Sequence, residues 1–321
     1  MASVLETITG SAGSGAQRAA ARLTGHEADA HALADRLPEL HLEGVRVANT
    51  VAHGLHGRRR AGPGETFWQF RQFQGDDPRQ LIDWRRSASS DHLYVREREW
   101  EAAHTIWLWP DISPSMQFAS HLSRVRKSER ALVLMFAAAE MLVRAGERVA
   151  VMGLTRPSAS RKATTHIAEQ LAANIAAPAL TTSLPPPQRM SRFASTIWVS
   201  DFLDPLEPLS SRIAEAAGQG SVGHLVQVLD PAEETLPYSG RTEFVGMEGD
   251  QRWLADRAEG LRERYRQRLM AHRSELADAC RRVGWSFLVH HTDRPAAEPM
   301  LALSMRLSGE PMAGNGTGGA R

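Results

Sequence analysis

A chain of 321 residues with 42% hydrophobic and 23% charged residues has the composition of an ordinary globular protein, with length enough for a sizeable core. Its 38 basic and 37 acidic residues leave a net charge of +1, so no global field draws it to nucleic acid or to an anionic membrane. The single cysteine, Cys280, excludes an internal disulfide and any cysteine-rich zinc site.

Residues 1–52 form an N-terminal segment whose first 22 residues, rich in Gly, Ala and Ser, are expected to be disordered. Leu33, Leu37, Leu40 and Leu42 predict a short helix there, stopping near Pro38. No signal peptide and no apolar run of roughly eighteen residues is found, so the expectation is a cytoplasmic protein without a membrane span.

Residues 53–103 differ in character, with glycines punctuating a mixture of arginines and aromatics that includes Phe67, Trp68, Phe70, Phe73 and Trp84. Arginine interleaved with aromatic rings can stack on and pair with a nucleic acid strand. Asp76, Asp77, Asp83, Asp91, Glu97 and Glu99 lie among the arginines, however, and internal Arg–carboxylate pairing is the stronger reading. Gly75-Asp76-Asp77-Pro78 reads as a turn, because Pro78 disfavours the helical region for Asp77.

From 104 to 308 strands and helices alternate. Strands are predicted at 104–109, 148–154, 196–200, 222–229 and 285–290, and helices at 127–144, 163–176, 253–282 and 295–307. Thr181 to Pro187 reads as a stiff linker. Asp204, with Pro205 and Glu207 behind it, is expected to cap a helix. Alternation with apolar strands predicts an α/β fold: a doubly wound, mostly parallel sheet with helices on both faces, preceded by the arginine-, glycine- and aromatic-rich module. Residues 309–321 are expected to form a disordered tail.

Two loops at carboxyl ends of these strands carry candidate chemistry. The first is Asp111-x-Ser113-x-Ser115, the second begins at Asp201. One carboxylate and two hydroxyls at alternate positions can converge on a hard cation, which takes oxygen ligands, and a second loop with a spare carboxylate strengthens that expectation. The pairing predicts a divalent cation site for Mg²⁺ first, with Mn²⁺ or Ca²⁺ as alternatives. No Gly-x-Ser-x-Gly elbow, Walker loop or dinucleotide fingerprint is present, and Ser113 stands where haloacid-dehalogenase-like phosphatases need a second aspartate. At most one of His290 and His291 can point inward from a strand. No catalytic set emerges, and an open metal position suits an incoming Asp or Glu from a partner, which is binding without turnover.

Asp111-x-Ser113-x-Ser115 with Asp201 resembles the metal-ion-dependent adhesion site (MIDAS) of von Willebrand factor A domains. Gly64 to Phe67, Arg71, Gly75-Asp76-Asp77-Pro78-Arg79 and Ile82-Asp83-Trp84-Arg85 resemble the hallmark of a bacterial branch, the domain-of-unknown-function family DUF58. The resemblance covers roughly residues 53–308. It implies a non-enzymatic adaptor working with a MoxR-type AAA+ ATPase on client proteins, with Ser113 and Ser115 as direct metal ligands, Asp111 and Asp201 direct or through water, and a middle-loop threonine, Thr182 or its neighbour Thr181, as a further ligand. It implies family-motif structural roles for Gly75, Asp76, Asp77, Arg79, Asp83, Trp84 and Arg85. Two alternatives stand beside it: a nucleic-acid-binding protein using the arginine-rich segment 58–98, and a metal-dependent phosphohydrolase.

Overall fold

The computed structural model describes residues 15–55, 67–73, 82–88, 90, 92–98, 104–176, 178–247 and 252–307. The chain divides into two compact units, Met1–Leu55 with His104–Arg321, and His56–Ala103. In the smaller unit β1 (Phe67–Gln72) pairs antiparallel with β2 (Tyr94–Arg98), and α2 (Trp84–Ser87) is a single turn between them.

The larger unit opens with α1 (Gly15–Leu55) and continues with β3 (Thr105–Pro110), α3 (Lys127–Arg144), β4 (Arg148–Val151), α4 (Ala163–Ala173), α5 (Pro178–Thr181) and β5 (Ser195–Ser200). Then come α6 (Leu206–Gly218), β6 (Val222–Leu229), α7 (Pro231–Thr235), β7 (Thr242–Val245), β8 (Arg252–Ala255), α8 (Arg262–Arg282), β9 (Ser286–His291) and α9 (Ala297–Leu307). Five strands form one sheet in the order β4-β3-β5-β6-β9, every pairing parallel. This is the doubly wound α/β fold that the alternation predicts.

Period-two patterning of the strands builds two cores. Ile106, Leu108, Ile197, Val199, Val226 and Val228 face α1, α3, α4 and α9. Trp107, Trp109, Trp198 and Leu225 face α6 and α8 on the other side, where the Trp198 and Trp285 rings meet edge to face at 5.0 Å. Strands buried on both faces read as continuous apolar runs, which is why the sequence marks them clearly.

Four local expectations are corrected. The N-terminal helix neither stops near Pro38 nor begins after residue 22: α1 runs through both, with Pro38 inside it. Its stripe Leu33, Leu37, Leu40 and Val51 is buried in the same core as α3, and that packing outweighs the hydrogen bond lost at proline. The helix expected from 253 starts at Arg262, because Trp253 belongs to a β7–β8 hairpin in which its ring stacks on Phe244. Finally, α6 takes Pro205 as its N-cap without a side-chain cap bond. A full capping box of the kind expected at Asp204 forms at Asp230-Pro231-Ala232-Glu233 on α7.

Candidate functional site

The strand order places the reversal of winding direction between β3 and β5. In such sheets the crevice outside the carboxyl ends at that point is where ligands sit. Asp111 follows β3 directly, and its N–H donates to the Val199 carbonyl of β5 at 2.8 Å, so the two candidate loops leave the sheet side by side. Asp111 is fully buried; its Oδ1 accepts from the Ser113 N–H at 2.8 Å and its Oδ2 from the Ser200 hydroxyl at 2.5 Å. Ser113 precedes a 3-10 turn, Pro114–Gln117, and shares a 3.2 Å hydrogen bond between its Oγ and that of half-buried Ser115.

Asp201 is buried and held from three sides. Its Oδ1 accepts from the Leu203 N–H at 3.2 Å, its carbonyl from Gln227 Nε2 at 2.7 Å, and its Oδ2 from Lys127 Nζ at 2.7 Å. Lys127, the first residue of α3, is 1% exposed and also donates to Glu233 Oε1 at 2.6 Å. The second carboxylate oxygen of Glu233 accepts the Asp230 N–H, and Asp230 in turn accepts from the Ser120 hydroxyl at 2.6 Å. The Tyr265 hydroxyl is buried without a hydrogen-bond partner among the described residues; burial, and then the charge of Glu233, push its pKa above the ordinary value.

These contacts sort the two aspartates. Burial first, and then the charge of Asp201, push Asp111 up to about 8 against the hydrogen bonds from Ser113 and Ser200. Burial also acts to raise Asp201, but the Lys127 ammonium outweighs it and holds Asp201 below the usual carboxylate range. Burial opposes the charge on Lys127 as well, yet Asp201 and Glu233 hold its pKa above the ordinary value.

The structure therefore brings Asp111, Ser113 and Ser115 into one loop beside Asp201. Thr182 is exposed and donates its hydroxyl to the Leu184 carbonyl at 3.2 Å, two residues beyond Leu180, whose carbonyl accepts from Ile112 in the first loop. In the smaller unit Asp83 caps α2, with Oδ1 accepting from the Arg86 N–H at 2.9 Å, while Trp84 and Arg85 are exposed. Gly75, Asp76, Asp77 and Arg79 lie outside the described residues. Lys127, Glu233, Ser200 and Gln227 are the site residues that sequence reasoning missed. A lysine opening an amphipathic helix carries no mark of burial, but the Asp-Pro-x-Glu capping pattern at 230–233 is readable and points to Glu233.

Among the described residues no three His, Cys, Asp or Glu side chains gather as a metal cluster. The donors here are of another kind, two hydroxyls and a carboxylate. The 3.2 Å between the Ser113 and Ser115 oxygens is close to the roughly 3.0 Å that separates neighbouring ligands of an octahedral ion with bonds of about 2.1 Å. Two buried carboxylates near one ammonium also leave negative charge to satisfy. The residues fit a small hard cation on the Ser113–Ser115 side, with Asp201 kept at one remove by Lys127.

A family model described as "Protein of unknown function DUF58" matches residues 69–275. The uncharacterized proteins Rv1480 of Mycobacterium tuberculosis and Mb1516 of Mycobacterium bovis are each 28% identical over 282 residues, covering 82% of this chain and 86% of theirs. Among solved structures, the conserved hypothetical protein BatB from Bacteroides thetaiotaomicron matches 65% of this chain and 100% of its own at 12% identity, with a TM-score of 0.35. An aerotolerance-related membrane protein from Bacteroides fragilis matches 64% and 100% at 12% identity, with a TM-score of 0.36. No helix among the described residues of this chain is long and apolar enough to cross a membrane.

Proposed function

This chain belongs to the DUF58 family, and from that premise we propose that it is a non-enzymatic, metal-dependent interaction protein, a cytoplasmic adaptor working with a MoxR-type AAA+ ATPase in the maturation or assembly of client proteins. Family membership supports the partner, and the site supports the metal. The observation that carries the reading is the pair of Ser113 and Ser115 hydroxyls 3.2 Å apart beside buried Asp111, at the point of the sheet where a ligand has access.

The same residues are poorly suited to turnover. Asp111 spends both oxygens on hydrogen bonds, and Lys127 is held charged between two carboxylates, so neither is a poised base or nucleophile. A bound cation would supply a Lewis-acidic position for a partner's carboxylate. Ser113 and Ser115 would hold it directly, Asp111 would neutralise it, and Asp201 would contact it through water because Lys127 fixes that side chain.

Calorimetric titration of Mg²⁺ and Mn²⁺ into the wild type and a Ser113→Ala, Ser115→Ala variant tests the site. Saturable binding to the wild type, at least tenfold weaker in the variant, is expected, together with chelator-sensitive capture of the ATPase. Equal or absent binding in both proteins would sink the metal reading.

A further inference from the structure

A second site lies at the other edge of the sheet. After β4 the chain turns back on itself, and Ser158 exchanges two backbone hydrogen bonds of 3.0 Å with Val149 before α4 begins. Between this return loop and α4 is a cavity of about 230 Å³, floored by Val149 and Ile167 and rimmed by Arg156, Lys162 and His166 with Ser158 and Ser160. It shares no residue with the crevice between β3 and β5.

Three features of its lining point to one chemistry. All the titratable groups are basic, and no Asp or Glu lines it. Neither the Arg156 nor the Lys162 side chain has an ion-pair or hydrogen-bond partner among the described residues, whereas Arg212, Arg266 and Arg281 are paired with acids on their own helices. Two cations around one hollow repel each other unless an anion lies between them. The hydroxyls add to this: Ser158 Oγ accepts the Ser160 N–H and Ser160 Oγ accepts the Lys162 N–H, both at 3.2 Å, which leaves each O–H free to donate.

We propose that this cavity binds a phosphoryl group, supplied either as free phosphate or as a phosphorylated side chain of a bound polypeptide. A planar guanidinium, an ammonium and two hydroxyl donors outnumber what the two oxygens of a carboxylate can accept; they suit a dianion with three terminal oxygens. The volume falls below the roughly 300 Å³ at which sites for drug-sized molecules begin and suits a phosphoryl group with a short stem.

The test is titration of inorganic phosphate, and separately of a phosphoserine peptide and its unphosphorylated form, into the full chain at constant ionic strength. Wild type is compared with an Arg156→Ala, Lys162→Ala variant, whose fold is checked by its thermal unfolding; both side chains are exposed and unpartnered, so it should fold. Saturable binding of phosphate or phosphopeptide that weakens at least tenfold in the variant supports the site. Tighter binding of the phosphopeptide than of phosphate identifies a polypeptide as the source, and equal or weaker binding identifies free phosphate. Absence of binding by both probes, or equal binding to both proteins, overturns it. Mg²⁺ titration should be the same in both proteins, which separates this result from the fate of the metal reading.

Discussion

Lys127 determines how the two buried aspartates behave. Its ammonium reaches Asp201 and Glu233 and holds Asp201 ionised, whereas burial, and then the charge of Asp201, push Asp111 up to about 8 against the hydrogen bonds from Ser113 and Ser200. Removing the cation strands two buried charges, and breaking a buried ion pair from one side costs about 3–5 kcal/mol. Lys127→Met is therefore expected to lower unfolding stability by that order in urea titrations. A triple variant, Lys127→Met with Asp201→Asn and Glu233→Gln, removes the stranded charges and should recover more than half of the loss; no recovery would mean that the lysine stabilises by packing alone. This residue also marks where sequence reading ends. Asp111, Ser113, Ser115 and Asp201 stand out because their spacing and their place after apolar strands are local facts. The Lys127 contacts join residues 74 and 106 positions apart, and no local pattern encodes them.

At the scale of elements, the strands and α3 were legible because each is an apolar run with one period, and α1 and the β7–β8 hairpin were not. The break at Pro38 is a local signal that burial against α3 overrides, and the hairpin is short, with Val245 and Leu254 exposed and no clean alternation. Gly44 shows how closely α1 approaches α3: a Cβ added there would lie 2.6 Å from the Cβ of Phe136, a distance that real Cβ atoms do not reach. Gly44→Ala gains up to about 1 kcal/mol of helix propensity, but it forces the two helices apart, and overpacking of this kind costs about 1–3 kcal/mol. The expected outcome is a net loss of stability. Gly218→Ala, at the end of α6 with open space around the added methyl, provides the comparison and should be neutral or slightly stabilising. Thermal unfolding of the two variants side by side checks the pair, and a stabilised Gly44→Ala would show that the α1–α3 contact is loose.

For the larger unit taken whole, fold class was legible from alternation, and burial of polar groups was not. His224 on β6 and His290 on β9 are the groups through which that burial becomes a pH dependence. Both side chains are buried in the sheet. Burial, and then Arg306, pushes His224 down to about 4; burial, and then Arg130 and His291, pushes His290 down to about 3. Both lie below the value of about 6.5 expected in the unfolded chain. Between these limits the unfolded state binds more protons, so the stabilising contribution is fully present above pH 6.5 and is lost as pH falls toward 4 and 3. Each histidine adds a slope of up to about 1.4 kcal/mol per pH unit, and the two together up to about 2.7. The interval from pH 6.5 to 5 lies above the unfolded values at which carboxylates such as Asp201 and Glu234, whose pKa values are lowered, take up protons, while Asp111, raised to about 8, holds its proton in the folded state there and offsets about one histidine's slope. His290→Leu removes one of them, together with a ring nitrogen that is buried without a hydrogen-bond partner among the described residues. Urea unfolding at half-unit pH steps should show the slope between pH 6.5 and 5 lower in this variant by up to about 1.4 kcal/mol per pH unit. An unchanged slope would place the acid sensitivity elsewhere and remove His290 from the account.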